Sequence, residues 1–160
     1  MDLNERAKAL VSVSKINAVS MLTVIRRERS VLDSVDSDHW DFIVTVAGVF
    51  AAMSGIMAMQ LPEEELAPIV ETIQISFLEW KPEARSIFED CKSAVAGTIQ
   101  RNTASGLDSD EWYPIVLGCW IIEQVLGQEP QSDEERAWAK VVGSMVMARM
   151  NGHFRDPEVL

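Results

Sequence analysis

The sequence contains none of the short motifs typical of common catalytic sites. It has no glycine-rich phosphate loop, no Gly-x-Ser-x-Gly elbow, no Cys-x-x-Cys pair and no His-Glu-x-x-His helix. Side chains suited to acid–base chemistry are also few, because the only histidines are His39 and His153 and there is a single tyrosine. These absences favour a non-catalytic protein over an enzyme.

Positive charge is scarce as well. The chain has 14 Lys and Arg residues against 25 Asp and Glu residues, which gives a formal net charge of -11. Binding to nucleic acid or to an anionic membrane depends on Lys and Arg, so the composition argues against both kinds of surface. The composition instead favours a basic protein as the partner.

Cysteine is limited to Cys91 and Cys119, and both lie within helical patterns. The start MDLNERAK has no basic segment followed by an apolar run, as a secretory signal would have. We therefore expect a cytoplasmic protein with reduced thiols. Cys91 lies on an apolar helix face, which favours a small core residue over a reactive nucleophile.

The stretch from Phe42 to Met59 has no charged residue. A helix that is apolar on all sides lies either at the centre of a bundle or in a membrane. Acidic residues flank this stretch at both ends and no Lys/Arg cluster adjoins it, so we predict a central helix over residues 42–59 and no membrane partner. Gly48 and Gly55 should lie at helix crossings.

Apolar residues recur at helical spacing along most of the chain, and no segment shows sustained strand alternation. The sequence thus predicts an all-α fold, a six-helix bundle forming a single domain over residues 1–151, with an irregular tail over 152–160. Caps and breakers mark the expected helix limits. The first helix runs from Leu3 to Leu32, the second begins after Asp36 or Ser37 and ends before Leu61–Pro62, and the third begins with Pro62 as its first residue. The fourth follows Lys81–Pro82 and ends near Gly106, the fifth runs from the capping box Asp108–Glu111 to Gly127, and the sixth runs from the capping box Ser132–Glu135 to Met150.

Two parts of the chain resemble each other at an offset of 72 residues, the separation of Trp40 and Trp112. The same offset aligns Asp-Ser-Asp helix starts at Asp36 and Asp108. We therefore predict two three-helix pseudo-repeats, about 1–79 and 82–151, with the two tryptophans in equivalent places.

One cluster combines the ligand types that metal ions use. Asp36, Asp38, His39 and Asp41 lie together at the start of the second helix and offer both oxygen and nitrogen. A metal-binding domain or a metal-dependent enzyme is therefore an alternative hypothesis. A solvated helix cap is the commoner explanation for such a cluster, so the sequence predicts no cofactor and no catalytic residue.

If the six helices alternate in direction, one end of the bundle collects many carboxylates. We predict a non-catalytic module that docks on and inhibits or sequesters a basic protein, as an inhibitor, an immunity or antitoxin protein or a nucleic-acid mimic does. Direct binding to nucleic acid is not expected. The predicted partner-binding residues are Asp36, Asp38, Asp41, Glu129, Asp133, Glu134 and Glu135.

The first predicted helix carries a second apolar stripe beyond the one that faces the core. This stripe consists of Val13, Ile16, Val24 and Val31. Because exposed apolar patches usually mark contacts, the stripe predicts a homodimer through this helix. A helical oligomerisation scaffold is therefore the third functional hypothesis.

Overall fold

A computed structural model of the protein describes residues 2–28, 32–103 and 109–155, without the side chains of residues 99, 101–103 and 109–112. Within these ranges the chain forms six α-helices and no strand, which confirms the predicted all-α bundle. The helices are α1 (Leu3–Glu28), α2 (Ser37–Met57), α3 (Glu63–Trp80), α4 (Ala84–Thr103), α5 (Ser109–Leu126) and α6 (Asp133–Met150).

Side-chain caps fix two of the predicted helix starts. The Asp36 carboxylate accepts a hydrogen bond from the Asp38 backbone N–H at 3.0 Å and begins α2. The Ser132 hydroxyl accepts one from the Glu135 N–H at 3.1 Å and begins α6, and the Glu135 carboxylate accepts from the Gln131 N–H in return. The cap predicted at residue 108 lies outside the described residues.

Two predicted helix limits are wrong. The first helix does not extend to Leu32, because residues 32–35 form a turn in which the Val35 N–H donates to the Leu32 carbonyl at 3.2 Å. The Arg26 guanidinium closes this turn by donating to the Val35 carbonyl at 2.6 Å. Pro62 precedes α3 in the cap position, with extended backbone, instead of being its first helical residue.

Helix α2, which contains the charge-free stretch that begins at Phe42, is the core of the bundle, as predicted. Of its 21 residues, 13 are buried. Trp40 is fully buried, and its indole N–H donates to the Ala18 carbonyl of α1 at 3.0 Å, which satisfies the one polar atom of this side chain. Cys91 of α4 is also fully buried and belongs to the same core, as expected.

The two glycines of α2 do lie at close approaches of other segments. A Cβ at Gly48 would lie 2.1 Å from the Ser14 hydroxyl oxygen of α1, and one at Gly55 would lie 2.2 Å from the Asn151 carbonyl oxygen beyond α6. Any side chain at either position would force a neighbour to move. This confirms that both glycines are crossing points.

Neighbouring helices alternate in direction. Contacts from Ala18 to Trp40 and from Ser14 to Thr45 make α1 antiparallel to α2. Helices α2 and α5 are also antiparallel. The Ser54 hydroxyl, near the end of α2, lies 2.7 Å from the Tyr113 hydroxyl near the start of α5, while the start of α2 contacts the last turns of α5. The starts of α2, α4 and α6 therefore lie at the same end of the bundle as the ends of α1, α3 and α5.

The two predicted pseudo-repeats pack differently. In the first half, α1 packs on both α2 and α3, whereas the backbones of α2 and α3 do not come close to each other. In the second half, α5 packs on both α4 and α6, and the described backbones of α4 and α6 do not come close to each other. The Trp112 side chain lies outside the described residues. The repeat thus stays a prediction that rests on the sequence alone.

The surface of α1 is apolar in places. Val13, Ile16 and Val24 of the predicted stripe are 39%, 68% and 47% exposed, and Val31 lies outside the described residues. By length and composition α1 and α2 are both able to cross a membrane, which is weak evidence because α2 is mostly buried inside the bundle.

Residues 151–155, at the start of the predicted tail, are irregular but held against the bundle. Phe154 is buried in the core. The Arg6 guanidinium of α1 donates to the carbonyl oxygens of His153 and Arg155, and the His153 ring lies 2.8 Å from the Arg6 carbonyl oxygen.

Candidate functional site

The helix directions bring most of the predicted partner-binding residues to one end of the bundle. The His39 ring at the start of α2 donates through Nε2 to the Gln124 carbonyl at 2.9 Å, near the end of α5. Phe42 of α2 contacts Trp80, the last residue of α3. We call this the acidic end, after its eight exposed carboxylate residues: Asp33, Asp36, Asp38, Glu79, Glu83, Glu129, Asp133 and Glu134.

The four metal-ligand candidates at the start of α2 do not converge on one point. Asp36 is engaged in capping the helix, and His39 is turned towards α5. Across the described ranges, no group of three or more His, Cys, Asp or Glu side chains is placed to hold a metal ion. The arrangement is that of a capped helix start, with one side chain bonded to a neighbouring helix.

Asp41, a predicted partner-binding residue, points inward towards α1. Its Oδ1 is buried without a hydrogen-bond partner, as is the Nε of Arg26. Both residues line a cleft of about 380 Å³ between α1 and α2, with Val19, Leu22, Thr23 and Ser37. Burial raises the pKa of the Asp41 carboxyl, the charge of Asp38 raises it further, and Lys15 and Arg26 oppose the shift.

The carboxylates at the start of α6 are partly engaged within the helix. Asp133 accepts a hydrogen bond from Arg136 at 2.6 Å, in an ion pair whose side chains are 100% and 52% exposed. Glu135 is half-buried and completes the capping box, whereas Glu134 is exposed. An exposed pair of this kind contributes little to stability. The main effect of this ion pair on the surface is therefore that Arg136 partly neutralises the charge of Asp133.

An apolar groove of about 480 Å³ opens between α4 and α5. The sequence analysis did not identify it. Its floor comes mainly from α5, with Ala94 and Thr98 on the α4 side, and its rim carries Glu123, Glu129 and Arg136. The small side chain at Ala94 is the one sequence signal for this space. The full lining is Ala94, Thr98, Ile115, Val116, Cys119, Trp120, Glu123, Glu129, Pro130 and Arg136.

Cys119 is the one thiol described in this groove. Burial raises the pKa of the Cys119 thiol, the charges of Glu129 and Glu123 raise it too, and Arg136 opposes them. A thiol with a raised pKa is a weak nucleophile near neutral pH, because the thiolate is the reactive form. The groove therefore presents an apolar surface instead of a reactive centre.

A second, smaller cleft of about 190 Å³ lies between α2 and the α3–α4 connection. It is lined by Asp38, His39, Phe42, Lys81 and Glu83. The rings of Phe42 and Trp80 have their centroids 5.6 Å apart at an angle of 45°. The Lys81 Nζ lies 5.1 Å from the Phe42 centroid and 5.8 Å from the Trp80 centroid. This cleft was not predicted from the sequence. The segment Trp80-Lys81-Pro82 could have indicated it, because it places an aromatic side chain and a cation next to a proline at the end of a helix.

Comparison with protein-family models, with curated proteins and with solved structures finds no match to this chain. The evidence for function is therefore the chemistry of the acidic end and of the clefts beside it.

Proposed function

We propose that this protein is a non-catalytic binding module that docks on a basic protein through its acidic end and thereby inhibits or sequesters it. The observation that carries the proposal is the set of eight exposed carboxylates at one end of the bundle. They come from three connections and three helices that are far apart in sequence, and the alternating helix directions support their gathering at one end.

The electrostatic effect of such a surface is strongest on the rate of association. Its negative field extends about 8 Å at physiological salt and accelerates encounter with a positively charged surface. Lys81 and Arg136 lie at the same end and reduce the field locally. Arg26 and Arg27 at the end of α1 and Arg85 at the start of α4 lie at this end as well, so the carboxylates there exceed the cations by less than the overall charge of -11.

Apolar contact would supply most of the affinity, because exposed ion pairs alone contribute little. The groove between α4 and α5 has an apolar floor, and Glu129 at its rim is one of the carboxylates of the acidic end. This neighbourhood suits a basic segment that also carries an apolar side chain. Inhibitors of basic enzymes, antitoxin or immunity proteins and mimics of nucleic-acid charge share this requirement.

A second candidate function is self-association through α1. The exposure of Val13, Ile16 and Val24 supports it, because these side chains leave an apolar strip on a helix that already has a buried face. A homodimer is compatible with the first proposal, since the strip lies along the length of the bundle and the carboxylates lie at its end.

The proposal places the protein in the cytoplasm, where Cys91 and Cys119, both free thiols, would stay reduced. It is tested by affinity capture from the native source at low salt, followed by mass spectrometry and by binding of the purified partner. A partner with a basic surface, whose binding weakens as salt rises, supports the proposal. Capture of the chain alone, or of partners bound independently of salt, contradicts it.

A further inference from the structure

We propose that the cleft beside Phe42 and Trp80 is the subsite at which the acidic end receives an arginine side chain of its basic partner, and that Lys81 is an internal occupant which this arginine displaces. The inference rests on the proposed function and adds to it the chemical group that is recognised.

The two rings already act as a cation acceptor. The faces of aromatic rings attract cations within about 6 Å of the ring centroid, and tryptophan is the best acceptor. Lys81 lies within this distance of both rings, and Lys15 of α1 places its Nζ 5.8 Å from the Trp80 centroid. Two ammonium groups, one from α1 and one from the residue that follows α3, thus approach the Trp80 ring.

Carboxylates border the same cleft. Asp38 and Glu83 are exposed and line it, one from α2 and one from the residue before α4. Within the described part of the chain, neither carboxylate forms an ion pair, and Lys81 lies over the rings instead of bonding to them. The cleft therefore combines an occupied aromatic surface with two carboxylates that are available to an incoming cation.

These features favour a guanidinium over an ammonium as the incoming group. A guanidinium is planar, stacks on aromatic faces and presents several N–H donors to carboxylates at once. An ammonium is compact and strongly hydrated, and the Lys81 stem is flexible, so its contact with the rings is weak. An arginine able to contact the rings and a carboxylate together replaces it with a net gain of interactions.

The test uses the full chain and a hexa-arginine peptide, with hexa-citrulline as the uncharged peptide of the same shape. Lys81→Met removes the internal cation, and we expect it to tighten hexa-arginine binding about threefold or more. Lys8→Met is the matched control, because it removes one positive charge from an exposed residue at the other end of α1. Phe42→Leu and Trp80→Phe should each weaken binding by about three- to fivefold.

Folding is checked for each variant by thermal unfolding, since Phe42 and Trp80 also pack on the core. Trp80→Phe keeps a ring in place, and Lys81→Met leaves both rings unchanged, so the inference stays testable if Phe42→Leu unfolds. An NMR signal from the Trp80 indole N–H, assigned through Trp80→Phe, should shift when hexa-arginine is added and stay unchanged with hexa-citrulline.

Two results separate this inference from the proposed function. If hexa-arginine binds in a salt-dependent way, but Lys81→Met matches Lys8→Met and the aromatic variants match the parent, the subsite is wrong and the acidic end remains a docking surface. If hexa-arginine binds no form of the protein even at low salt, both are wrong. Equal binding of hexalysine and hexa-arginine would overturn the assignment of arginine.

Discussion

Gly118 of α5 and Gly143 of α6 lie opposite each other where these helices cross. A Cβ at Gly118 would lie 1.6 Å from the Ala139 carbonyl oxygen, and one at Gly143 would lie 1.7 Å from the Pro114 carbonyl oxygen. The obstructing atoms belong to the backbone, so a rotamer change cannot relieve the clash. The contact between α5 and α6 at this crossing therefore depends on having no side chain at either position.

Gly118→Ala is expected to destabilise the protein by about 3 kcal/mol, because one methyl group must separate two packed helices. Chemical denaturation measures the difference in the free energy of unfolding. Gly152→Ala is the control, since a Cβ there would meet no atom within 4 Å. Equal stability of Gly118→Ala and Gly152→Ala would show that α5 and α6 are farther apart than described.

Tyr113 offers a direct test of burial between α2 and α5, because it is the single tyrosine of the chain. Burial raises the pKa of Tyr113 to about 12, an effect that the hydrogen bond with Ser54 opposes. Absorbance of the phenolate should therefore rise with a midpoint near pH 12 in the folded protein and near pH 10 in denaturant.

The same shift predicts a loss of stability in alkali. Between these two pKa values the unfolded chain has lost a proton that the folded protein retains, so stability falls as the pH rises through this window. Tyr113→Phe should remove this part of the pH dependence and lose about 1 kcal/mol at neutral pH with the hydrogen bond to Ser54. A folded-state midpoint near pH 10, with circular dichroism unchanged, would contradict the buried position.

How much of this structure followed from the sequence is clearest at the start of α2. The cap at Asp36 and the burial of the charge-free stretch that follows Asp41 were predictable, because both depend on local sequence and on periodicity. The directions of His39 and Asp41 were not. Successive residues of a helix point about 100° apart, so neighbours in sequence face different helices. That His39 meets Gln124 and that Asp41 shares a cleft with Arg26 depends on the tertiary arrangement.

The cleft beside Phe42 and the groove between α4 and α5 were unpredictable for the same reason. Phe42 and Trp80 belong to helices that are not in backbone contact, and only their side chains meet. The groove depends on the distance between α4 and α5, which the periodicity of apolar residues along the chain does not predict. Sequence reasoning thus placed the carboxylates at one end of the bundle but gave no account of the surfaces between them.

Asp41 should reduce stability at neutral pH, because its pKa is raised in the folded protein. As the pH rises above the pKa of the unfolded chain, the unfolded state loses its proton first, so folding becomes less favourable until the folded carboxyl also ionises. Asp41→Asn should therefore stabilise the protein at pH 7 and have no such effect at about pH 3. Asp33→Asn, an exposed residue, is the control for removal of one charge. A variant that is less stable at pH 7 would mean that Arg26 and Lys15 outweigh the burial of Asp41.

Removal of the α6 carboxylates should slow association with a basic partner and leave dissociation nearly unchanged. We expect a rate about five- to tenfold lower at low salt, and a smaller difference as salt rises. Stopped-flow mixing measures both rates. The variant is Asp133→Asn, Glu134→Gln and Glu135→Gln, and the charge-matched control at the start of α3 is Glu63→Gln, Glu64→Gln and Glu65→Gln.

The control triplet lies at the opposite end of the bundle from the acidic end, so it changes net charge equally without changing the local field there. Equal slowing by both triplets would indicate that total charge matters and position does not. An association rate that is indifferent to both triplets and to salt would remove the main support for docking through the acidic end.

Self-association through α1 predicts a dimer whose mass by light scattering is twice that of the monomer. Ile16, the most exposed of the described stripe, is 68% exposed. Ile16→Gln should shift the protein to a monomer at micromolar concentration, because it places a polar group at the centre of the strip. Ile75→Gln on α3, where the parent side chain is 47% exposed, should leave the mass unchanged. A parent protein that stays monomeric at high concentration would contradict the interface.

The contact of Arg6 with His153 joins residues 147 positions apart in the chain. Arg6 leaves the ribosome long before the carbonyl groups to which it donates have been made. The first turn of α1 must therefore wait, with its buried face uncovered, until nearly all of the bundle has been synthesised. Phe154, which fills the core beside this contact, arrives at the same late stage. Completion of the core at this end therefore waits for residues that are made 147 or more positions after Arg6.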